Sequence, residues 1–223
     1  MTSDCQSCRS LFDSLPQNDK YADALDRAHP NCACEEFSLS QFSPGKVHNG
    51  ETIYRMIILP GDLDDLERLT FESVKAAYKN GLSVFRECAS DEDIRFLAED
   101  RLYVKKGAKA RTIHGFIQLS TSEVRQLEHL ETVGRICCVY DQTVKRKFDP
   151  DLTHVPSHAA IFQRSLPAET ENKKNKLQKA CEVLFHYMKE KSRWIDVGSF
   201  RDGLFVDLNE ASLAGKYIYE PPG

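Results

Sequence analysis

The chain has 223 residues, 41% of them hydrophobic and 29% charged, the balance of a globular protein and not of a fibrous, disordered or membrane-embedded one. Its longest uninterrupted apolar run, Ile136 to Tyr140, is far short of a membrane span. Met1-Thr2-Ser3-Asp4 lacks the basic flank and apolar stretch of a signal peptide, so the sequence predicts an intracellular, cytoplasmic protein with no membrane partner. The net charge of −4 is unevenly spread: residues 1 to 100 carry 10 basic and 19 acidic side chains, residues 101 to 223 carry 20 and 15.

The cysteines mark the first segment. Cys5, Cys8, Cys32 and Cys34 fall within 34 residues, with His29 three before Cys32. A Cys-x-x-Cys knuckle offers two zinc ligands from one tight turn, and a tetrahedral ion needs two more. Cys32 and Cys34 complete a four-thiolate set; His29 with Cys32 is an equal alternative, with Cys34 then free or taking the place of Cys32. Some 35 residues bury too little apolar surface to fold alone, and a structural zinc supplies on the order of 10 kcal/mol. A redox Cys-x-x-Cys lacks a thioredoxin-like context here, and disulfides are disfavoured in a cytosolic setting. The polar stretch from Ser38 to Gly50 reads as a connector. This places a zinc knuckle and connector at 1–50 and a main domain at 51–223.

Beyond Gly50, β-branched and aromatic runs bounded by turn residues predict strands at Thr52–Leu59, Leu82–Cys88, Ile113–Leu119, Arg135–Tyr140 and Ala159–Phe162, a sheet of about five. Leu63 to Lys79 reads as helical. Ser90-Asp91-Glu92-Asp93 and Ser120-Thr121-Ser122-Glu123 each set a hydroxyl three residues before a carboxylate, the signature of a helix start. Leu177, Ala180, Cys181, Leu184 and Met188 form one apolar stripe, the longest helical signal. Trp194–Val197, Leu204–Leu208 and Tyr217–Tyr219 read as short strands. Uneven helices between these strands favour an α+β fold with a mixed sheet over a doubly wound one.

Four polar side chains stand in or beside segments expected to be buried: Arg55, Ser83, Arg86 and His158. Buried charge is costly unless paired, so each is either tied to a carboxylate or held for a ligand. Arg55 and Arg86 suit a forked contact with phosphate or carboxylate, His158 a general acid or base, and Ser83 an orienting group. The set predicts an enzyme acting on a nucleotide or nucleic-acid phosphate. Basic clusters at Arg101, Lys105, Lys106, Lys109 and Arg111, at Lys145-Arg146-Lys147, and at Lys173, Lys174, Lys176 and Lys179 allow the alternative of a non-catalytic, zinc-dependent module that binds nucleic acid or protein. Cys137 and Cys138, adjacent on a strand, read as core packing. Pro156 between His154 and His158 argues against a helical zinc pair.

Two resemblances follow from these motifs. Cys5-x-x-Cys8 followed by His29-Pro30-Asn31-Cys32-Ala33-Cys34 resembles the cysteine cluster of Mu-type phage head-morphogenesis (minor capsid) proteins, in which a basic residue commonly separates the last two cysteines. The likeness covers about 35 residues and implies metal binding; a phage-related structural role follows from it alone. Tyr54-Arg55, Phe71, Gly81 to Arg86, and Pro156 to Ile161 are similar to a set of uncharacterised small bacterial proteins, which implies that these residues form one site without naming its chemistry.

Overall fold

The computed structural model describes residues 3–14, 21–40, 42–129, 134–144, 154–164 and 173–220. Six strands form the main sheet: β1 (Thr52–Leu59), β2 (Leu82–Arg86), β4 (Thr112–Ser120), β5 (Cys137–Asp141), β6 (His158–Gln163) and β7 (Arg193–Asp196). Their spatial order is β5-β6-β2-β1-β4-β7, and every neighbouring pair is antiparallel. The fold is α+β, as expected, with a sixth strand and without the mixed pairing. The parallel ladder joins two strands outside this sheet, β3 (Val104–Lys105) and β8 (Ile218–Tyr219).

Alternation along the strands divides the core in two. Ile53, Ile57, Leu82, Val84, Leu119, Val139 and Ile161 pack with Ala180, Cys181, Leu184 and Met188 of α5 (Lys173–Glu190) on one face. On the other, Met56, Ile58, Phe85 and Phe116 meet α3 (Asp91–Leu102) and α6 (Val206–Leu213). The two predicted caps form: the Ser90 hydroxyl accepts from the Asp93 amide and starts α3, and Ser120 accepts from Glu123 to start α4 (Thr121–Arg125).

Two expectations are corrected. Leu63 to Lys79 is not one helix, because the Asp64 carboxylate accepts the Leu66 and Arg68 amides and Glu67 takes a positive φ; short 3-10 turns at Phe71–Ser73 and Lys75–Tyr78 follow. Leu204 to Leu208 is not a strand. Phe205, Leu208 and Ser212 are buried at helical spacing, so the short apolar run belongs to the start of α6.

The amino-terminal segment, with α1 (Ser3–Ser14), α2 (Tyr21–Ala28) and a 3-10 turn over Pro30–Glu36, packs on β5 and β6. Cys8, Phe12, Tyr21, Leu25, Cys32 and Cys34 share a buried cluster with Cys138, Tyr140, Ala160 and Phe162. Gly81 lies beside this cluster at φ +93, and any Cβ there would stand 2.5 Å from the Phe162 ring. Glu35 fixes the packing: its buried carboxylate accepts from Arg125 Nε at 3.1 Å, from Arg135 Nη2 and from the Val139 amide of β5. Arg125 Nη2 donates in turn to the Val139 carbonyl at 3.0 Å, so an ion pair satisfies both backbone groups of that strand residue.

Removing the Glu35 carboxylate leaves the buried Val139 amide without its acceptor and takes the counter-charge from Arg125 and Arg135. Glu35→Ala is expected to lower unfolding stability by about 3 kcal/mol, read as a shift of the urea midpoint at unchanged slope.

Candidate functional site

The sheet opens where β1 and β2 should continue their ladder. They pair at Ile53 with Arg86 and at Tyr54 with Phe85, and no further. Arg55 stands at the parting. Its Nη1 donates to the Ser83 carbonyl at 3.1 Å, and its Nη2 lies 3.5 Å from Asp62 Oδ1. The Arg55 side chain is 5% exposed, and its buried Nε has no hydrogen-bond partner. Burial opposes the charge on Arg55 and the Asp62 carboxylate supports it.

Asp62 is shared. Its Oδ2 accepts from the Ile58 amide at 2.9 Å and meets Arg101 Nη2, from α3, at 3.4 Å. Two guanidiniums therefore divide one carboxylate and leave one positive charge in excess. Arg55, Arg101, Ser83, Met56, Val84 and Leu97 line a pocket with about 230 Å³ of free space, its open mouth included, and Phe85 completes the wall.

Ser83 joins this pocket to His158. Sheet pairing sets His158 opposite Phe85, two residues from Ser83 on the same face, so the side chains meet diagonally across β2 and β6. Ser83 Oγ lies 2.7 Å from His158 Nε2, and His158 Nδ1 lies 2.5 Å from the Gln142 carbonyl. Burial first, then the charges of Arg101 and Arg55, push the imidazole down to about 4, against a carbonyl hydrogen bond that raises it. The ring is thus neutral at pH 7. A carbonyl only accepts, so the proton sits on Nδ1, Nε2 carries the lone pair, and the Ser83 hydroxyl donates to it. Ser157 next door donates to Asp93 Oδ2 of α3 at 3.0 Å, which fastens the start of β6 to that helix.

Of the four polar residues singled out in the sequence, Arg55, Ser83 and His158 come together and Arg86 does not join them. Arg86 Nε and Nη2 hold Glu51 at 2.8 and 2.6 Å, Nη1 donates to the Gly45 carbonyl, and Asp141 lies 3.5 Å away. Its donors are spent on fixing the connector to the sheet. Arg101 completes the pocket instead, and the Gln142 carbonyl holds His158 behind it. Arg101 showed in the sequence as a member of a basic cluster; the carbonyl has no sequence signal at all.

The cysteines form a separate cluster. Cys8 and Cys34 are paired at disulfide distance with Cα atoms 5.7 Å apart, and Cys32 pairs likewise with Cys138 at 5.6 Å. Cys8, His29 and Cys34 offer ligand atoms all within 4.8 Å of one another and could hold an ion only with the Cys8–Cys34 pair reduced. Cys5 precedes Cys8 by one helical turn on α1; its side chain lies outside the described residues. Cys32, Cys138 and Glu35 are equally close, but Arg125 and Arg135 already occupy the Glu35 carboxylate, and two guanidiniums oppose a dication there. The geometry therefore separates Cys32 from the other candidate ligands and gives it Cys138 as partner. Lys145-Arg146-Lys147 and the side chains of Lys173, Lys174 and Lys176 also lie outside the described residues. Among the described residues no helix is long and apolar enough to cross a membrane.

The depressed His158 fixes the sign of one pH effect. Between pH 6.5 and 4 the unfolded chain binds a proton that the folded one refuses, so this contribution is complete above 6.5 and is lost as the pH falls towards 4. Unfolding free energy measured across that window should fall on the order of 3 kcal/mol further in the native protein than in His158→Gln. Comparison of the chain with protein-family models, with curated proteins and with solved structures finds no match.

Proposed function

We propose that the protein is an enzyme acting on a phosphate group of a nucleotide or nucleic acid, with the pocket between β1, β2 and α3 as its active site. The observation that carries this is Arg55, a buried guanidinium with an unpartnered Nε, set beside Arg101 on a pocket whose Ser83 is hydrogen-bonded to a histidine behind it. A planar guanidinium with a free donor matches a tetrahedral oxyanion, and a second arginine at the mouth adds charge where the substrate enters. The space it encloses is no more than that of a single water molecule, so a phosphoryl group would dock at its open mouth with the remainder of the substrate outside.

Charge makes the two halves of the site cooperate. Burial keeps His158 neutral, with a smaller contribution from Arg101 and Arg55; a bound phosphate offsets the arginines' part, raises the affinity of His158 for a proton, and strengthens it as a base. The thermal midpoint of the protein should rise with inorganic phosphate, with AMP or with a short oligonucleotide, and Arg101→Ala should weaken the ligand that works by about tenfold to a hundredfold. Absence of a shift with all three overturns the assignment, and a zinc-dependent oligonucleotide shift indifferent to Arg101 and His158 favours the interaction module instead.

The amino-terminal cluster completes the proposal as a structural zinc site of Cys5, Cys8, His29 and Cys34. Its support is the joint approach of three of these ligands and the diversion of Cys32 to Cys138. Zinc and a Cys8–Cys34 disulfide are alternative states of the same two sulfurs. Protein purified under reducing conditions is expected to carry about one zinc per chain, lost in Cys8→Ser and Cys34→Ser and kept in Cys32→Ser. Loss of the metal in Cys32→Ser would restore the four-thiolate alternative.

A further inference from the structure

His158 is 3% exposed and is absent from the lining of the pocket, whereas the Ser83 residue bonded to it lines that pocket. A proton exchanged between His158 and anything bound there must therefore pass through Ser83 Oγ. This excludes the simplest role for His158, direct activation of a water beside the substrate, and it makes Ser83 more than an orienting group.

From this we infer that Ser83 is the nucleophile of the site and that its reaction proceeds through a covalent Ser83 intermediate. The constellation has the three parts such a step requires. Ser83 Oγ donates to His158 Nε2 at 2.7 Å, so its lone pairs are left for the pocket. The Gln142 carbonyl holds Nδ1–H and fixes the tautomer that leaves Nε2 basic. Arg55 and Arg101 stand on the same pocket as donors for the negative charge that develops on the substrate.

The inference rests on the phosphate assignment above, and its steps balance as follows for a phosphate ester. Ser83 Oγ forms a bond to phosphorus as the bond from phosphorus to the leaving oxygen breaks. The Ser83 proton moves to Nε2 and is held there, while the leaving oxygen takes a proton from water at the open mouth. Water next attacks the phosphoryl-serine from the mouth and releases a proton to solvent. The bond from phosphorus to Oγ breaks, phosphate departs, and His158 returns the proton to Ser83. Neither oxidant nor metal enters the balance.

A small sulfonyl fluoride tests the nucleophile without knowledge of the substrate. Methanesulfonyl fluoride should transfer its sulfonyl group to Ser83, with loss of fluoride and of the hydroxyl proton through His158, giving an adduct that peptide mapping locates. Labelling should disappear in Ser83→Ala, fall at least a hundredfold in His158→Gln, and slow in the native protein when inorganic phosphate fills the pocket. In the native protein it should also fall as the medium is acidified through the titration of His158, a readout that needs no variant to fold. Absence of an adduct at Ser83, or labelling indifferent both to His158→Gln and to acid, overturns the inference. The two proposals fail separately: protein that binds phosphate and resists sulfonylation keeps the phosphate site and loses the nucleophile. Protein sulfonylated at Ser83 without affinity for phosphate-bearing ligands keeps the nucleophile and loses the phosphate.

Discussion

A guanidinium stands in the middle of a sheet, and the site depends on that placement. Arg55 sits on β1, one of the two central strands of six, where a continued ladder would supply backbone partners to Ser83; instead its Nη1 takes the Ser83 carbonyl. The energetic logic is that of a buried charge kept by one shared carboxylate. Asp62 is itself held by the Ile58 amide, so it cannot turn towards Arg55 fully, and Arg101 competes for it. The excess positive charge then acts in two directions, outward on whatever anion enters and inward on the imidazole behind Ser83. Pocket, charge and proton acceptor are consequences of one interrupted ladder.

The amino-terminal segment does for one sheet edge what a seventh strand would otherwise do. Its own apolar content is small, and it folds by sharing Phe12, Tyr21 and Leu25 with Tyr140 and Phe162. Polar contacts set the register of that packing: Glu35 and Arg125 on the Val139 backbone, and Ser38 and the Leu39 amide on the buried Asp141 carboxylate at 3.0 and 3.3 Å. Asp141 also stands 3.5 Å from Arg86, so the residue expected to bind a substrate anion is part of the frame that joins connector to sheet. Zinc at Cys8, His29 and Cys34 would stiffen a unit already anchored by these contacts.

Strands were legible because alternation and β-branched content report a local property, and both capping boxes were legible because a cap is settled within four residues. Leu63 to Lys79 misled for the same local reason in reverse: apolar spacing suggested a helix, while Asp64 used its side chain to hold two amides in a turn. Arg55, Ser83 and His158 could be suspected one by one, since a polar residue inside an apolar strand needs a partner. Their convergence depends on β6 pairing with β2 across 75 residues, which no local pattern reports. Cys138 is the plainest case. Its partner Cys32 lies 106 residues away, and on its own strand it has the look of ordinary core.

The two margins of the sheet are unequal, and this bears on how the protein behaves when crowded. β5 has its outward backbone groups at Val139 occupied by side chains, so another chain cannot hydrogen-bond there without first dislodging an ion pair. β7 is bordered on its inner side by β4, is four residues long, and exposes Trp194. Its protection against intermolecular strand addition is brevity and the charges of Arg193 and Asp196, the devices by which short edge strands discourage aggregation. Colloidal stability of this fold therefore depends more on the β7 margin than on the β5 margin.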